Sequence, residues 1–204
     1  MKITIVDYGM GNLHSILSTL NYLGFWDINI SAKRDDLVAS DRLILPGVGN
    51  FNLAMQIIKE KKLDISLSES VLEKEIPILG ICLGMQLLGV SSTESKYTTG
   101  LSFIKNKCEV FNSRDLTVPH VGFNQVNINP NSILLKNLNP CPDFYFTHSF
   151  QMLPLDDAEE SLTTYGNSFV SAFEKGNIFG TQFHPELSQK NGMIVFKNFL
   201  EFNA

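Results

Sequence analysis

The stretch from Ile76 to Leu88, IPILGICLGMQLL, constrains the fold more than any other part of this chain. An unbroken apolar run enters a G-x-C-x-G turn, and a short pattern rich in Met, Gln and Leu leaves it. That order predicts a buried strand that hands over directly to a helix, the wiring of parallel sheets in α/β proteins. The two glycines permit a tight, strained turn that lifts the side chain between them clear of its neighbours, a geometry usually built around serine. A thiol held there meets unpaired amide N–H groups and the positive end of the helix, so its thiolate is favoured. Taken alone, the motif describes a small buried apolar cysteine equally well.

The flanking sequence supplies the rest of the sheet. Residues 3–7 (ITIVD) read as a buried first strand, followed by a glycine-containing loop at Tyr8 to Asn12. Leu13, Ile16, Leu17, Leu20 and Leu23 then recur at helical spacing until Gly24. Gly9 and Gly11 lack the third glycine of a dinucleotide-binding loop, so that signal is set aside. Strands are expected at about 27–31 and 42–45, helices at about 52–60 and 65–75, and then the Cys82 strand. The third strand ends in Pro46-Gly47-Val48-Gly49, where a backbone N–H can face a reacting carbonyl oxygen next to the turn. Strands separated by helices imply a mostly parallel central sheet covered by helices on both faces, with its site at the strands' carboxyl ends.

The second half alternates apolar and polar residues between Leu101 and Val126, with a loop at Asn112 to Asp115, which predicts antiparallel strands at one edge. Pro119 to Asn124 reads as a turn presenting His120 and Phe123, and Phe144 to Phe150 as an aromatic strand. The acidic run Asp156 to Glu160 reads as a solvated loop. Strands at about 169–174 and 178–183 form a hairpin through Lys175-Gly176-Asn177, and a final amphipathic helix starts near Ser188. No repeat or linker interrupts the pattern, so a single domain over residues 1–204 is expected.

At the end of the last strand stands Thr181-Gln182-Phe183-His184-Pro185-Glu186. On extended backbone His184 and Glu186 share a face, and Pro185 keeps His184 out of the helical region. An imidazole that takes a thiol proton, with a carboxylate fixing its tautomer, is what a cysteine nucleophile needs. H-P-E alone is a weak signal; combined with a cysteine in a strand-to-helix turn about a hundred residues upstream, it points to Cys82, His184 and Glu186 as one catalytic set.

Composition excludes several other classes. A net charge of −5 without a basic run argues against nucleic acid, and no apolar stretch reaches membrane-spanning length. The start lacks a signal-peptide pattern, so a cytoplasmic protein is expected. Three unpaired cysteines and four scattered histidines suggest neither disulfides nor a metal site, and no cofactor is expected.

Together these residues resemble the class I (triad) glutamine amidotransferases, with Gly80-Ile81-Cys82-Leu83-Gly84 and Phe183-His184-Pro185-Glu186 as the two signatures. Asp7 to Leu13, Pro46 to Gly49, Cys82 to Leu88 and Val118 to Asn124 more narrowly resemble the glutaminase subunits of imidazole glycerol phosphate synthases, over essentially the whole chain. The resemblance implies hydrolysis of L-glutamine to glutamate and ammonia through a Cys82 thioester, with His184 moving the protons and Glu186 orienting it. It implies an oxyanion hole from the N–H groups of Leu83 and, in the productive state, Val48. Gly47, Gly49, Gln86, Ser149 and Phe150 would bind glutamine. Ammonia would pass to a separate (β/α)₈-barrel synthase subunit in a heterodimer, for imidazole glycerol phosphate formation in histidine biosynthesis. Asn12, Pro119, His120, Val121, Phe123, Tyr145 and Leu187 would face that partner, and glutaminase activity would be weak without it.

Three positions depart from the family's pattern. Leu187 stands where lysine is frequent, Phe123 where tryptophan is usual, and Phe150 where tyrosine is common. They leave the catalytic set intact but keep a second pathway open, a paralogous subunit that supplies ammonia for surface-sugar synthesis. A thiol hydrolase of the same fold, or a catalytically silent binding protein, are further alternatives. The Pro119 to Asn124 segment and the complete triad argue against them.

Overall fold

The structure is a computed structural model describing residues 1–95, 97–111, 116–155 and 158–203. The expected loop at Asn112 to Asp115 and the start of the acidic run, Asp156 and Asp157, lie outside the described residues. In chain order, β1 (Ile3–Val6), α1 (Leu13–Tyr22), β2 (Ile28–Ser31), α2 (Arg34–Val38), β3 (Arg42–Leu45), α3 (Phe51–Glu60) and α4 (Leu63–Ser68) come first. A π-helical turn at Glu69–Glu73 then leads to β4 (Ile78–Ile81) and α5 (Leu83–Leu87). Short strands β5 (Ser91–Ser92) and β6 (Thr98–Thr99) follow, then β7 (Lys107–Val110), β8 (His120–Gln125), β9 (Asp143–His148) and β10 (Phe150–Met152). The chain closes with β11 (Glu159–Tyr165), β12 (Asn167–Lys175), β13 (Ile178–Thr181) and α6 (Gln189–Leu200).

Seven strands form the main sheet in the order β11-β12-β13-β4-β3-β1-β2. The five from β13 to β2 are parallel, and β11 and β12 add the antiparallel edge. Both faces are dry. Leu43 and Leu45 of β3 point into a core with Phe51, Met55 and Ile58 of α3 and Met85 of α5. Ile44 and Leu79, one residue out of phase, join the opposite core with Ile16 and Leu20 of α1 and Val195 and Phe199 of α6. That alternation explains why these strands read as continuous apolar runs.

The antiparallel part differs in detail from the expectation. The strands between Leu101 and Val126 do not extend the main sheet. β7 belongs to a small sheet with β10, β5 and β6, while among the described residues β8 pairs only with β9. The edge is instead made by β12 and β11, and β11 carries no apolar alternation strong enough to announce it: only Ser161 and Thr163 are buried, and both are polar. The segment Pro119 to Asn124, expected as a turn, is mostly strand, because His120↔His148 through Gln125↔Asp143 pair in register.

Candidate active site

Three neighbouring strands, β3, β4 and β13, deliver their carboxyl ends to one place. Leu45↔Gly80 and Thr181↔Ile81 are in register, so the segments that follow, Pro46 to Gly49, Cys82 and Gln182 to Glu186, converge. Cys82 has φ +53° and ψ −111°, a conformation costly for an L-residue. The turn is held from both sides: the Cys82 N–H donates to the Thr181 carbonyl at 2.7 Å, and Gly84 lies so close to β3 that a Cβ there would sit 1.8 Å from the Leu45 carbonyl oxygen. No side chain larger than hydrogen fits, which is why the second glycine of the motif is required.

The Cys82 thiol donates to the Thr147 carbonyl at 3.8 Å and accepts from Gln182 Nε2 at 3.7 Å. His184 lies beside it, and its Nδ1 is 2.8 Å from Glu186 Oε1. Both members of that pair are almost fully buried. Among the described residues, His184 Nε2 and Glu186 Oε2 are buried without a hydrogen-bond partner. Neither atom is tied to another protein group by a hydrogen bond, and His184 interacts with Cys82. Burial alone would push the His184 imidazole down; interactions with Cys82 and Glu186 overcome it and push the group up to about 10. Such a ring holds its proton beside the sulfur and the carboxylate.

The pairing of His184 with Glu186 arises differently from the extended face that spacing suggests. His184 is extended, with φ −95° and ψ +99°, but Pro185–Leu187 form a 3₁₀ turn that folds the carboxylate back onto the ring. The backbone is fixed on each side: His184 N–H donates to the Tyr145 carbonyl at 2.9 Å, and the Ser188 hydroxyl donates to the His184 carbonyl at 2.6 Å.

A pocket of about 320 Å³ opens above the sulfur, lined in part by Val48, Gly49, Gln86, Glu94, Ser149 and Phe150. Gln86 Nε2 donates to the Phe150 carbonyl at 3.0 Å and to Gln182 Oε1 at 2.9 Å. Leu83 N–H, one of the expected oxyanion donors, donates to the Gly47 carbonyl at 3.3 Å. In a trans peptide the C=O and the following N–H point in opposite directions. The Val48 N–H is therefore turned away from the Leu83 N–H while Gly47 caps it. The Tyr8 hydroxyl anchors this loop by donating to the Pro46 carbonyl at 2.9 Å. Burial, reinforced by the charge of Cys82, pushes Tyr8 up, so it stays a neutral donor.

A sequence model of the family described as "Glutamine amidotransferase class-I" matches residues 4–202. The chain belongs to the class I glutamine amidotransferases. Two curated relatives of this amidotransferase, each named imidazole glycerol phosphate synthase subunit HisH 2, come from Vibrio vulnificus and Pseudomonas aeruginosa. The first is 41% identical over 203 residues, covering 99% of this chain and 95% of the relative. The second is 41% identical over 201 residues and covers 98% of each. Among solved structures, one described as a glutamine amidotransferase superposes with TM-score 0.76 at 19% identity, covering 97% of both chains. A putative GMP synthase subunit from Thermoplasma acidophilum gives TM-score 0.74 at 22% identity, covering 98% of this chain and 92% of that one. These likenesses show the shared fold.

The residues expected at a partner surface divide in two. Val121, Phe123 and Leu187 are exposed apolar side chains, and Phe123 meets the half-buried Tyr145 across the β8–β9 pair, with ring centroids 5.6 Å apart. Asn12 is spent on capping α1, accepting from Ser15 N–H, and Pro119 reaches the pocket wall. His120 corrects the expectation: it is 4% exposed and faces inward, because alternation along β8 turns it away from the side that Val121 and Phe123 occupy. Sequence reasoning also passed over Glu94, Thr147, His148 and Gln182 at the site. Gln182 had a readable signal, since it stands two residues before His184 at a strand end. Glu94 had none, because it lies in a short connection after β5.

Proposed function

We propose that this amidotransferase is the glutaminase subunit of a two-subunit enzyme, with residues 1–204 acting as one domain. The observation that carries the reading is the buried His184–Glu186 pair at 2.8 Å beside a strained, pocket-facing Cys82. L-Glutamine enters with its amide carbon over the sulfur. The Cys82 thiolate attacks that carbon, the carbonyl π electrons move to oxygen, and the tetrahedral oxyanion forms. His184 gives its proton to the departing nitrogen, so the C–N bond breaks to ammonia and a γ-glutamyl thioester remains. The now neutral imidazole takes a proton from water, whose oxygen attacks the thioester. Glutamate leaves and the Cys82–His184 pair is restored. Glu186 holds the ring through Nδ1 throughout.

Substrate recognition falls to the pocket walls. The Gln86 amide and the backbone of Gly49, Ser149 and Phe150 supply polar contacts, and the Glu94 carboxylate suits the substrate's α-ammonium group; Gly47, expected among them, does not line the pocket and instead caps Leu83. The oxyanion needs the N–H groups of Leu83 and Val48. With Gly47 capping Leu83, a rotation of the Gly47–Val48 peptide is required to present both, and a bound partner is the natural trigger. The exposed Val121, Phe123 and Leu187, together with Asn12, Pro119 and Tyr145, form the partner-facing surface in this reading. The partner is a (β/α)₈-barrel synthase subunit that uses ammonia to form imidazole glycerol phosphate in histidine biosynthesis, in the cytoplasm. The names of the relatives support this assignment. A second reading rests on Leu187, Phe123 and Phe150, which depart from the family's pattern: a paralogous barrel that serves surface-sugar synthesis.

Co-purification from the native cell tests both, with glutamate release measured on the captured complex. Capture of the histidine-pathway barrel with glutamine-dependent product formation supports the first reading. Capture of a different barrel supports the second, and no glutamate release from any complex overturns both.

A further inference from the structure

Two buried histidines outside the triad have no part in the chemistry above. His120 Nδ1 is 3.0 Å from His148 Nε2, His148 Nδ1 is 2.7 Å from the Phe150 carbonyl oxygen, and Asn124 Nδ2 is 3.3 Å from His120 Nε2. The two ends of this chain fix its direction independently. At one end, Asn124 Oδ1 accepts from the Gln125 N–H at 2.8 Å, so the other atom of that amide is the donor and His120 Nε2 must accept. At the other end a backbone carbonyl only accepts, so His148 Nδ1 must carry hydrogen. A neutral imidazole has one donor and one acceptor. Both ends therefore require the same middle: His120 Nδ1–H donates to His148 Nε2.

The surroundings keep both rings uncharged. His120 stacks on Tyr165 and Phe146, at centroid distances of 4.0 and 5.0 Å, and His148 tilts against Phe111 and Phe169, at 5.2 and 5.1 Å. Burial pushes His120 down to about 4 and His148 down to about 3. The charge of His184 acts on His148 in the same direction. The chain ends at the Phe150 carbonyl, which also accepts from Gln86 Nε2 in the glutamine pocket, and Gln86 in turn holds Gln182, the donor to the Cys82 sulfur.

We propose that His120 and His148 are positioning residues that form a neutral, one-directional hydrogen-bond relay from β8 to the Phe150 carbonyl, fixing the Gln86 amide for glutamine recognition. The proposal rests on the glutaminase reading for its substrate and on the bonds above for its geometry. It deepens the site by giving the pocket a second anchor independent of the triad. Losing the His148 donor leaves the Phe150 carbonyl held by Gln86 alone, and the loss is felt in substrate recognition rather than in the sulfur chemistry.

The test combines nitrogen-15 NMR of the histidine side chains near neutral pH with steady-state L-glutamine hydrolysis by the full chain bound to its co-purified barrel partner. Both His120 and His148 are expected as Nδ1–H tautomers, whereas free neutral imidazole favours Nε2–H. His148→Phe preserves the ring packing and removes the donor; KM for glutamine is expected to rise about tenfold, the loss of roughly one hydrogen bond, with kcat within about twofold. His148→Asn places an amide N–H where Nδ1 stood and is expected to bring KM back to within about threefold of the parent. An Nε2–H tautomer or a protonated ring at either position, equal KM for the Phe and Asn variants, or a fall in kcat alone would each overturn the relay. If the parent complex hydrolyses no glutamine, the glutaminase reading fails, while the tautomer spectrum by itself still supports or overturns the relay.

Discussion

His184 and His148 are both buried imidazoles within the same small volume, and their surroundings drive them in opposite directions. His184 is pushed up to about 10 and His148 down to about 3. For each, burial is the largest single influence and it lowers both. The difference is partnership: His184 has a carboxylate at 2.8 Å and a thiol beside it, whereas His148 has a carbonyl, another neutral ring and a wall of aromatics. A desolvated histidine becomes a proton carrier only when an anion shares its burial; otherwise it serves as an oriented dipole. The fold thus uses one residue type for two tasks, moving protons at Cys82 and holding geometry behind the pocket.

The largest expected effects break the His184 side of this comparison. Replacing Cys82 with Ala removes the nucleophile that the ring serves, and glutamate release is expected to fall by about 10³-fold or more. Hydrolysis persisting at a tenth of the parent rate would show that the sulfur is not the nucleophile. Replacing Glu186 with Gln keeps the shape but not the charge. The rate is expected to fall by on the order of 10³-fold, and the NMR titration midpoint of His184 is expected to move down towards that of an ordinary histidine. An unmoved midpoint would mean that the carboxylate does not set the state of the ring. Next in size is the loop that caps Leu83. If the Gly47–Val48 peptide must rotate to complete the oxyanion hole, adding the barrel partner is expected to raise glutamine turnover by about 10²- to 10³-fold, the worth of one such donor. Equal rates with and without the partner would remove the rotation from the mechanism.

The same contrast explains what the sequence disclosed. G-I-C-L-G and F-H-P-E carry their chemistry within a few residues, and β3, β4 and β13 are apolar on both faces, so the site could be assembled from strand ends alone. The bond between His184 and Glu186 was foreseen, but not its cause, because a 3₁₀ turn after Pro185 leaves no mark distinct from an extended segment. The relay was less visible. His120 and His148 lie 28 residues apart and meet only because β8 and β9 pair in a particular register, which depends on a hairpin connection with no short turn signature. Reading Pro119 to Asn124 as a turn put His120 on the outside; reading it as a strand would have alternated His120 inward and Val121 and Phe123 outward. β11 and Glu94 were missed for a related reason, since neither has a local pattern and both are positioned by tertiary pairing.

The smallest expected effect separates the two histidine environments by stability rather than activity. A folded-state pKa raised above the unfolded value of about 6.5 contributes stability that is fully present below pH 6.5 and is lost as pH rises towards 10; this is His184. A depressed one contributes stability that is present above pH 6.5 and is lost as pH falls through 4 and 3; these are His120 and His148. The slope approaches about 1.4 kcal/mol per pH unit for each group inside its window. Urea unfolding of the parent and two variants therefore gives opposite signatures. Relative to His184→Gln, the parent's advantage shrinks on the alkaline side. Relative to the His120→Phe, His148→Phe double variant, which leaves no orphaned donor between the rings, it shrinks on the acid side. Subtracting each variant from the parent cancels the ordinary carboxylates, so a difference that stays flat with pH on either side would mean that the ring concerned is ionised as freely in the fold as outside it.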